Sequence, residues 1–187
     1  MSSLHFLGIS GSLRKGSFNT MLLKTALSLV PEEVITEIAN ISDFPLYDAD
    51  LEAANYPASA MRVKEQIRKA DALVIATPEY NYSMPGVLKN AIDWVSRPPK
   101  DSPFFEKPYA ILSASTGMLG GARAQYHLRQ SSIFLNMYPL NRPEVLVAKA
   151  QDKFDAEGNF TDEAGRELIK KQMSALADWT RRLQQKS

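Results

Sequence analysis

The chain has 187 residues, 44% hydrophobic and 23% charged, which suits one domain of ordinary size whose core needs no staples. A net charge of +1 supplies no global field for nucleic acid or an anionic membrane. With no cysteine there is no disulfide, no thiolate catalysis and no sulfur-ligated metal, as suits a reducing compartment. No basic region precedes a long apolar core at the N-terminus, and no run nears the roughly 20 apolar residues of a membrane helix. The expectation is a cytoplasmic protein without a membrane or nucleic-acid partner.

In chain order, Leu4–Ile9 is an apolar run that reads as a buried strand. A loop of small residues, hydroxyls and two cations follows. A helical pattern then runs from about Ser17 to Val30, with Leu23, Ala26, Leu27 and Val30 on one face, Ser17 as N-cap and Pro31 at the exit. Val34–Ile38 predicts the second strand, and Ile41 to Pro57 carries no clear pattern. A helix near Ala58 to Ala70 aligns Ala60, Val63, Ile67 and Ala70. Ala72–Ala76 is the third strand. The next helix starts at Pro85, a favourable first-turn residue, and carries Val87, Leu88, Ala91, Ile92 and Val95. Tyr109–Ser113 is the fourth strand, and a helix after Gly120-Gly121 extends to about Met137. Glu144–Ala148 is the fifth. The last helix begins near Thr161, with Leu168, Ile169, Met173, Leu176, Trp179 and Leu183 on its apolar side.

Alternating strands and helices define an α/β protein with a parallel sheet covered on both faces. Right-handed crossovers leave few topologies. The expected architecture is a flavodoxin-like three-layer sandwich, five parallel strands in the order 2-1-3-4-5, with residues 1–187 as a single domain. Ligands in such sheets sit beyond the carboxyl ends of the strands, at the switch point beside strand one. The loops after strands one, three and four are therefore the ones to read for function.

The first loop, Gly8 to Thr20, has the composition of an anion cradle at a helix N-terminus. Ser12, Ser17, Asn19 and Thr20 offer donors that need no titration, Arg14 adds charge, and Gly11 and Gly16 admit close backbone approach. The alternative is a turn that binds nothing. Gly11 and Gly16 have P-loop spacing, but Ser17-Phe18 stand where Lys and Ser/Thr belong; G-x-G-x-x-G is not met either. A monophosphate fits better. The second loop, Thr77 to Gly86, sets Tyr80 and Tyr82 among Asn81, Ser83 and prolines, which suits a flat, polar-edged aromatic ring, though a proline-rich surface turn would look alike. The third, Ser113 to Gly121, is small and glycine-rich, able to point several N–H groups at one ligand edge or merely to turn into a helix.

Gly11-Ser12-Leu13-Arg14-Lys15-Gly16-Ser17-Phe18-Asn19 together with the run from Pro78-Glu79-Tyr80-Asn81-Tyr82-Ser83-Met84-Pro85-Gly86 to Ile92-Asp93-Trp94 resembles the NADPH-dependent FMN reductases. Bacterial quinone, azo-dye and chromate reductases are among them. The likeness continues through Gly120-Gly121-Ala122-Arg123 and Gln125 to Gln130, covering most of 4–148; the last helix matches only in kind. The resemblance implies non-covalent FMN, with NADPH or NADH as electron donor and a small-molecule acceptor. It implies Ser12, Arg14, Ser17, Phe18, Asn19 and Thr20 around the phosphate, Pro78, Glu79, Tyr80 and Asn81 beside the isoalloxazine, and Ser115 and Gly117 near its other edge. It also implies a homodimer or homotetramer. No side chain need serve as acid, base or nucleophile, because hydride passes directly between stacked rings.

The two histidines, His5 and His127, have no metal-ligand spacing, and Ser10 does not complete a G-x-S-x-G elbow. Arg123, Tyr126 and Glu144 are candidates for a subunit contact, against the plainer reading of a solvated charge pair. A flavodoxin-type electron carrier is the competing function. Such carriers are usually strongly acidic to steer toward basic partners, which a charge of +1 does not match.

Overall fold

A computed structural model describes residues 3–185. Its elements in order are β1 (Leu4–Ser10), α1 (Phe18–Ser28), β2 (Val34–Ala39), α2 (Ala49–Ala54), α3 (Ala58–Lys69), β3 (Ala72–Ala76), α4 (Gly86–Val95), β4 (Pro108–Ala114), α5 (Ala122–Phe134), β5 (Tyr138–Pro139), β6 (Val145–Val147) and α6 (Glu163–Gln184). Successive side chains of a strand point to opposite faces, so each strand feeds two cores. Phe6, Val74, Ala110 and Leu112 pack under α1 and α6, against Leu22, Leu23, Ile169 and Met173. Leu7, Ile9, Leu73, Ile75 and Ile111 pack under α3, α4 and α5, against Val63, Ile67, Leu88 and Leu128. Buried on both faces, the central strands β3 and β4 read as unbroken apolar runs. Gly8 lets α1 approach: a Cβ there would sit 2.8 Å from Leu27 Cδ1.

The parallel strands follow the order β2-β1-β3-β4-β5, as the alternation predicts. The fifth position differs from expectation. Instead of one strand over 144–148, Tyr138–Pro139 pairs with the start of β4 and Val145–Val147 with its end. Pro139 and Pro143 have no N–H to give the ladder, so the chain leaves the sheet between the two pieces. Two buried glutamines cover the gap. Gln172 Nε2 donates to the Ile111 and Pro143 carbonyls at 3.1 and 2.8 Å, and Gln125 Nε2 to the Val145 carbonyl at 2.9 Å.

The patternless stretch from Ile41 to Pro57 contains the short helix α2, capped by the Asp48 carboxylate on the amides of Asp50 and Leu51. It is fastened by α4. Asn90 Nδ2 and Trp94 Nε1 both donate to the Pro45 carbonyl, at 2.8 and 2.9 Å, and the Tyr56 hydroxyl donates to the Trp94 carbonyl at 2.7 Å. Among the described residues no helix is long and apolar enough to cross a membrane.

The register brings the three informative loops to one edge. Ser10 pairs with Ala76, and Ala76 with Leu112. The ladder runs one residue further into each loop: Gly11 N donates to Ala76 O at 2.8 Å, Thr77 N to Leu112 O at 3.0 Å, and Ser115 N to Val147 O at 2.9 Å.

Candidate active site

The first loop turns tightly into α1. Ser17 is its N-cap, with Oγ accepting from Thr20 N at 3.3 Å, and Ser17 N closes the turn on Arg14 O at 3.1 Å. Among the described residues the amides of Leu13, Lys15, Gly16, Phe18 and Asn19 find no acceptor. Orphan donors at the positive end of a helix, beside open space at Gly16 where a Cβ would meet nothing within 4 Å, fit a phosphate dianion. Ser12 Oγ accepts from Arg14 N at 3.4 Å, and the Ser10 and Thr20 hydroxyls lie 2.7 Å apart. The Arg14 guanidinium lies 5.4 Å from the centroid of Phe18, whose ring meets Phe154 at 5.3 Å, so an aromatic shelf supports the cation.

Asn19 does something spacing alone does not reveal. It is only 3% exposed, and its carboxamide pairs with the backbone of Ala114: Nδ2 donates to the carbonyl at 2.9 Å and Oδ1 accepts from the amide at 2.8 Å. The first loop is thereby locked to the end of β4, where the third begins.

In the second loop, Tyr80 and Ser83 exchange backbone hydrogen bonds at 2.9 and 3.0 Å across a two-residue turn. Asn81 and Tyr82 both have positive φ, 50° and 68°, the signature of a type I′ hairpin. Tyr80 and Tyr82 are exposed at its tip and Pro78 is buried at its base. The Glu79 side chain turns toward α5, accepting from Arg123 N at 3.1 Å and pairing with the guanidinium. That guanidinium also lies 3.5 Å over the Tyr82 ring. The Glu79 carboxylate holds the Arg123 pKa above its ordinary value. Ser83 Oγ makes a further tie to His127 Nδ1 at 3.0 Å.

The third loop is shaped by Gly120 and Gly121, at φ 58° and 86°. A Cβ on Gly121 would come within 2.7 Å of Ser113 Cβ, and one on Gly120 within 2.8 Å of the Leu146 backbone. Ser113 Oγ donates to Gly120 O at 2.6 Å while Gln125 Nε2 donates to Ser113 Oγ at 2.8 Å. Ser115 Oγ accepts from Gly117 N at 3.1 Å; the amides of Thr116, Met118 and Leu119 make no bond among the described residues.

Of the residues singled out in the sequence, Ser12, Arg14, Ser17, Phe18 and Thr20 gather in the first loop, Pro78, Glu79, Tyr80 and Asn81 in the second, Ser115 and Gly117 in the third, and Asn19 bridges the first and third. Sequence reasoning missed the roles of Arg123 and Gln125. Arg123, read as a subunit-contact candidate, is committed within its own chain to Glu79 and Tyr82, while Tyr126 and Glu144 are exposed. Gln125 carried one faint signal, a polar residue three before the buried Leu128 on α5.

A doubly wound sheet with orphan amides at a helix N-terminus, an aromatic hairpin and a rim of open amides at its switch point is an architecture of the flavodoxin type, and its edge suits a flavin mononucleotide. The NADPH-dependent FMN reductase family model matches residues 4–152, and the chain belongs to that family. It is 58% identical over 177 residues to the NAD(P)H-dependent FMN reductase of Pseudomonas aeruginosa, covering 95% of each chain. It is 44% identical over 183 residues to the quinone reductase of Escherichia coli K12, covering 96% of this chain and 97% of that one. Among solved structures it resembles FerB, a flavoenzyme NAD(P)H:(acceptor) oxidoreductase of Paracoccus denitrificans, with TM-score 0.87 and 34% identity, covering 96% of this chain and 98% of that chain.

Proposed function

We propose that this chain is an NAD(P)H-dependent reductase that holds FMN non-covalently and passes electrons to quinones or similar small acceptors. The observation that carries the reading is the joining of three ligand-type loops at one sheet edge by Asn19–Ala114 and Glu79–Arg123. FMN, when bound, supplies a two-electron carrier between nicotinamide and acceptor. Ser12, Ser17, Thr20, the orphan amides and Arg14 bind its phosphate, with Phe18 as the shelf for Arg14. Asn19 acts by fastening the cradle to β4. Pro78, Glu79, Tyr80 and Asn81 border one edge of the ring, with Glu79 engaged through Arg123. Ser115 and Gly117 shape the other edge, where unpaired amides favour negative charge. The chain's own work is binding, orientation and electrostatics, and no side chain is assigned a proton transfer.

The same reading takes residues 1–187 as one FMN-binding domain, working in the cytoplasm as a homodimer or homotetramer. The exposed row Tyr126, Ile133 and Phe134 on α5 supports self-association, since three large apolar side chains on one helix face are costly to leave in water. The absence of cysteine supports a reducing compartment.

Anaerobic stopped-flow absorbance at the flavin band tests the function. Bleaching on mixing with NADPH and recovery on adding a quinone, both at turnover rates, is the expected result. Bound flavin that neither NADPH nor NADH bleaches would instead place the protein with electron carriers, and failure to bind FMN would remove the site.

A further inference from the structure

Beside the phosphate cradle lies a groove of about 530 Å³ between α1 and the turn joining Phe154 to Phe160. One wall is a stripe of α1, running from Ser17 past Thr20 and Lys24 to Ser28, about 16 Å at 1.5 Å per residue. The other wall is the 157–160 backbone and Arg166 in the first turns of α6. The walls are firmly seated: Phe154 packs on Phe18, and a Cβ on Gly158 would meet Met21 Cε at 3.2 Å. Arg166 Nη1 is steadied by the Phe160 carbonyl at 3.4 Å.

The groove is cationic for a reason visible in its partners. Lys15, Lys24 and Arg166 line it, and among the described residues none of them forms an ion pair. Glu157 is the single acid in the lining. The nearby Asp155 is spent on its own turn, accepting from Asn159 N at 2.7 Å and Nδ2 at 2.8 Å. Lys15, Ser17 and Thr20 belong to groove and cradle alike, so the groove adjoins the phosphate site.

We infer that this groove is a second anion site, adjoining the cradle, that takes a phosphomonoester, and that its occupant is the 2′-phosphate of NADPH, with Lys24 and Arg166 as the residues that set preference over NADH. The inference rests on the reductase reading given above. Three unpaired cations exceed what an uncharged ribose hydroxyl requires, while a phosphate dianion accepts charge-assisted bonds from both ammonium and guanidinium. Neither Lys24 nor Arg166 lies in the FMN cradle, so their substitution separates the two sites.

The test is calorimetric titration of adenosine 2′,5′-bisphosphate, AMP and inorganic phosphate into the protein with and without saturating FMN, for wild type, Lys24→Met and Arg166→Met. The bisphosphate is expected to bind wild type about tenfold tighter than AMP, the effect of one charge-assisted contact. Each substitution is expected to cut that advantage several-fold while FMN affinity and Tm stay unchanged. The ratio of kcat/KM for NADPH to that for NADH is expected to fall in parallel, with the NADH value unaltered. An equal affinity for bisphosphate and AMP in wild type, or an advantage that survives both substitutions, overturns the inference. Inorganic phosphate binding as tightly as the bisphosphate, with the same sensitivity to substitution, assigns the groove to free phosphate and overturns the nicotinamide assignment. A wild-type protein that oxidises neither nucleotide fails as a reductase, an outcome read independently of the binding comparison.

Discussion

Glu79 and Arg123, 44 residues apart, are joined at both backbone and side chain: the Glu79 carboxylate accepts from the Arg123 amide at 3.1 Å and from its guanidinium. The same guanidinium covers Tyr82 at 3.5 Å. One arginine therefore holds the hairpin after β3 against the start of α5, with two positive-φ residues at the hairpin tip. Replacing Arg123 with alanine is expected to loosen the hairpin, weakening FMN binding about tenfold, as loss of a charge-assisted bond does. Flavin fluorescence titration reads this directly. An unchanged dissociation constant would show that the hairpin holds its place without the arginine.

Asn19 is expected to matter to stability as much as to cofactor binding. Asn19→Ala strips the Ala114 amide and carbonyl of their partners in a buried setting, at a cost of about 2–4 kcal/mol for two orphaned groups. The midpoint of urea unfolding of the apoprotein measures this. A shift below about 0.5 kcal/mol would mean that water replaces the carboxamide.

Two glycines should respond to alanine very differently. Gly121→Ala places a Cβ at φ 86° and within 2.7 Å of Ser113 Cβ, so it is expected to cost about 2 kcal/mol or more. At Gly16 a Cβ meets nothing within 4 Å, and Gly16→Ala is expected to change apoprotein stability by no more than about 0.5 kcal/mol. Thermal unfolding of the two variants side by side checks the contrast.

Asp162 caps α6 through the Gly165 amide and pairs with Lys153. The hydrogen bond from Lys153 holds its carboxyl below the ordinary 3.8. A carboxylate with a depressed folded-state pKa contributes stability that is present above the unfolded pKa and is lost as pH falls through the folded one. Asp162→Asn keeps a side-chain oxygen for the cap and removes the titration. Its stability deficit relative to wild type is expected to be constant from pH 7 to about 5 and to close as pH drops below 3.8. Denaturant midpoints across that range decide it, and a deficit that persists at the acid end would rule the pairing out as its cause.

Much of what depends on neighbours in the chain is legible in the sequence, the single strand expected over 144–148 and the unread helix α2 excepted. The alternating apolar runs, the Ser17 cap and the strand order follow from periodicity, local hydrogen bonding and the handedness of crossovers, and the helix expected from Pro85 starts one residue on, with Pro85 as its N-cap. The meeting of the three loops at one sheet edge was legible for the same reason, since their place is set by the strand they follow. Partner choice was not legible. Asn19 meets Ala114 across 95 residues, and Lys64, 1% exposed on α3, has Nζ reaching the Arg97 carbonyl at 2.5 Å and Asp101 at 2.9 Å. At the split of the fifth strand, likewise, it is Gln172 and Gln125 from distant helices that donate to the carbonyls of Ile111, Pro143 and Val145. By itself the amino-acid sequence determined most of the elements, their order and the sheet edge at which the three loops meet, because those depend on spacing along the chain. Tertiary structure alone decided which polar group answers which, because a buried donor takes whatever acceptor the sheet register and helix packing bring within about 3 Å.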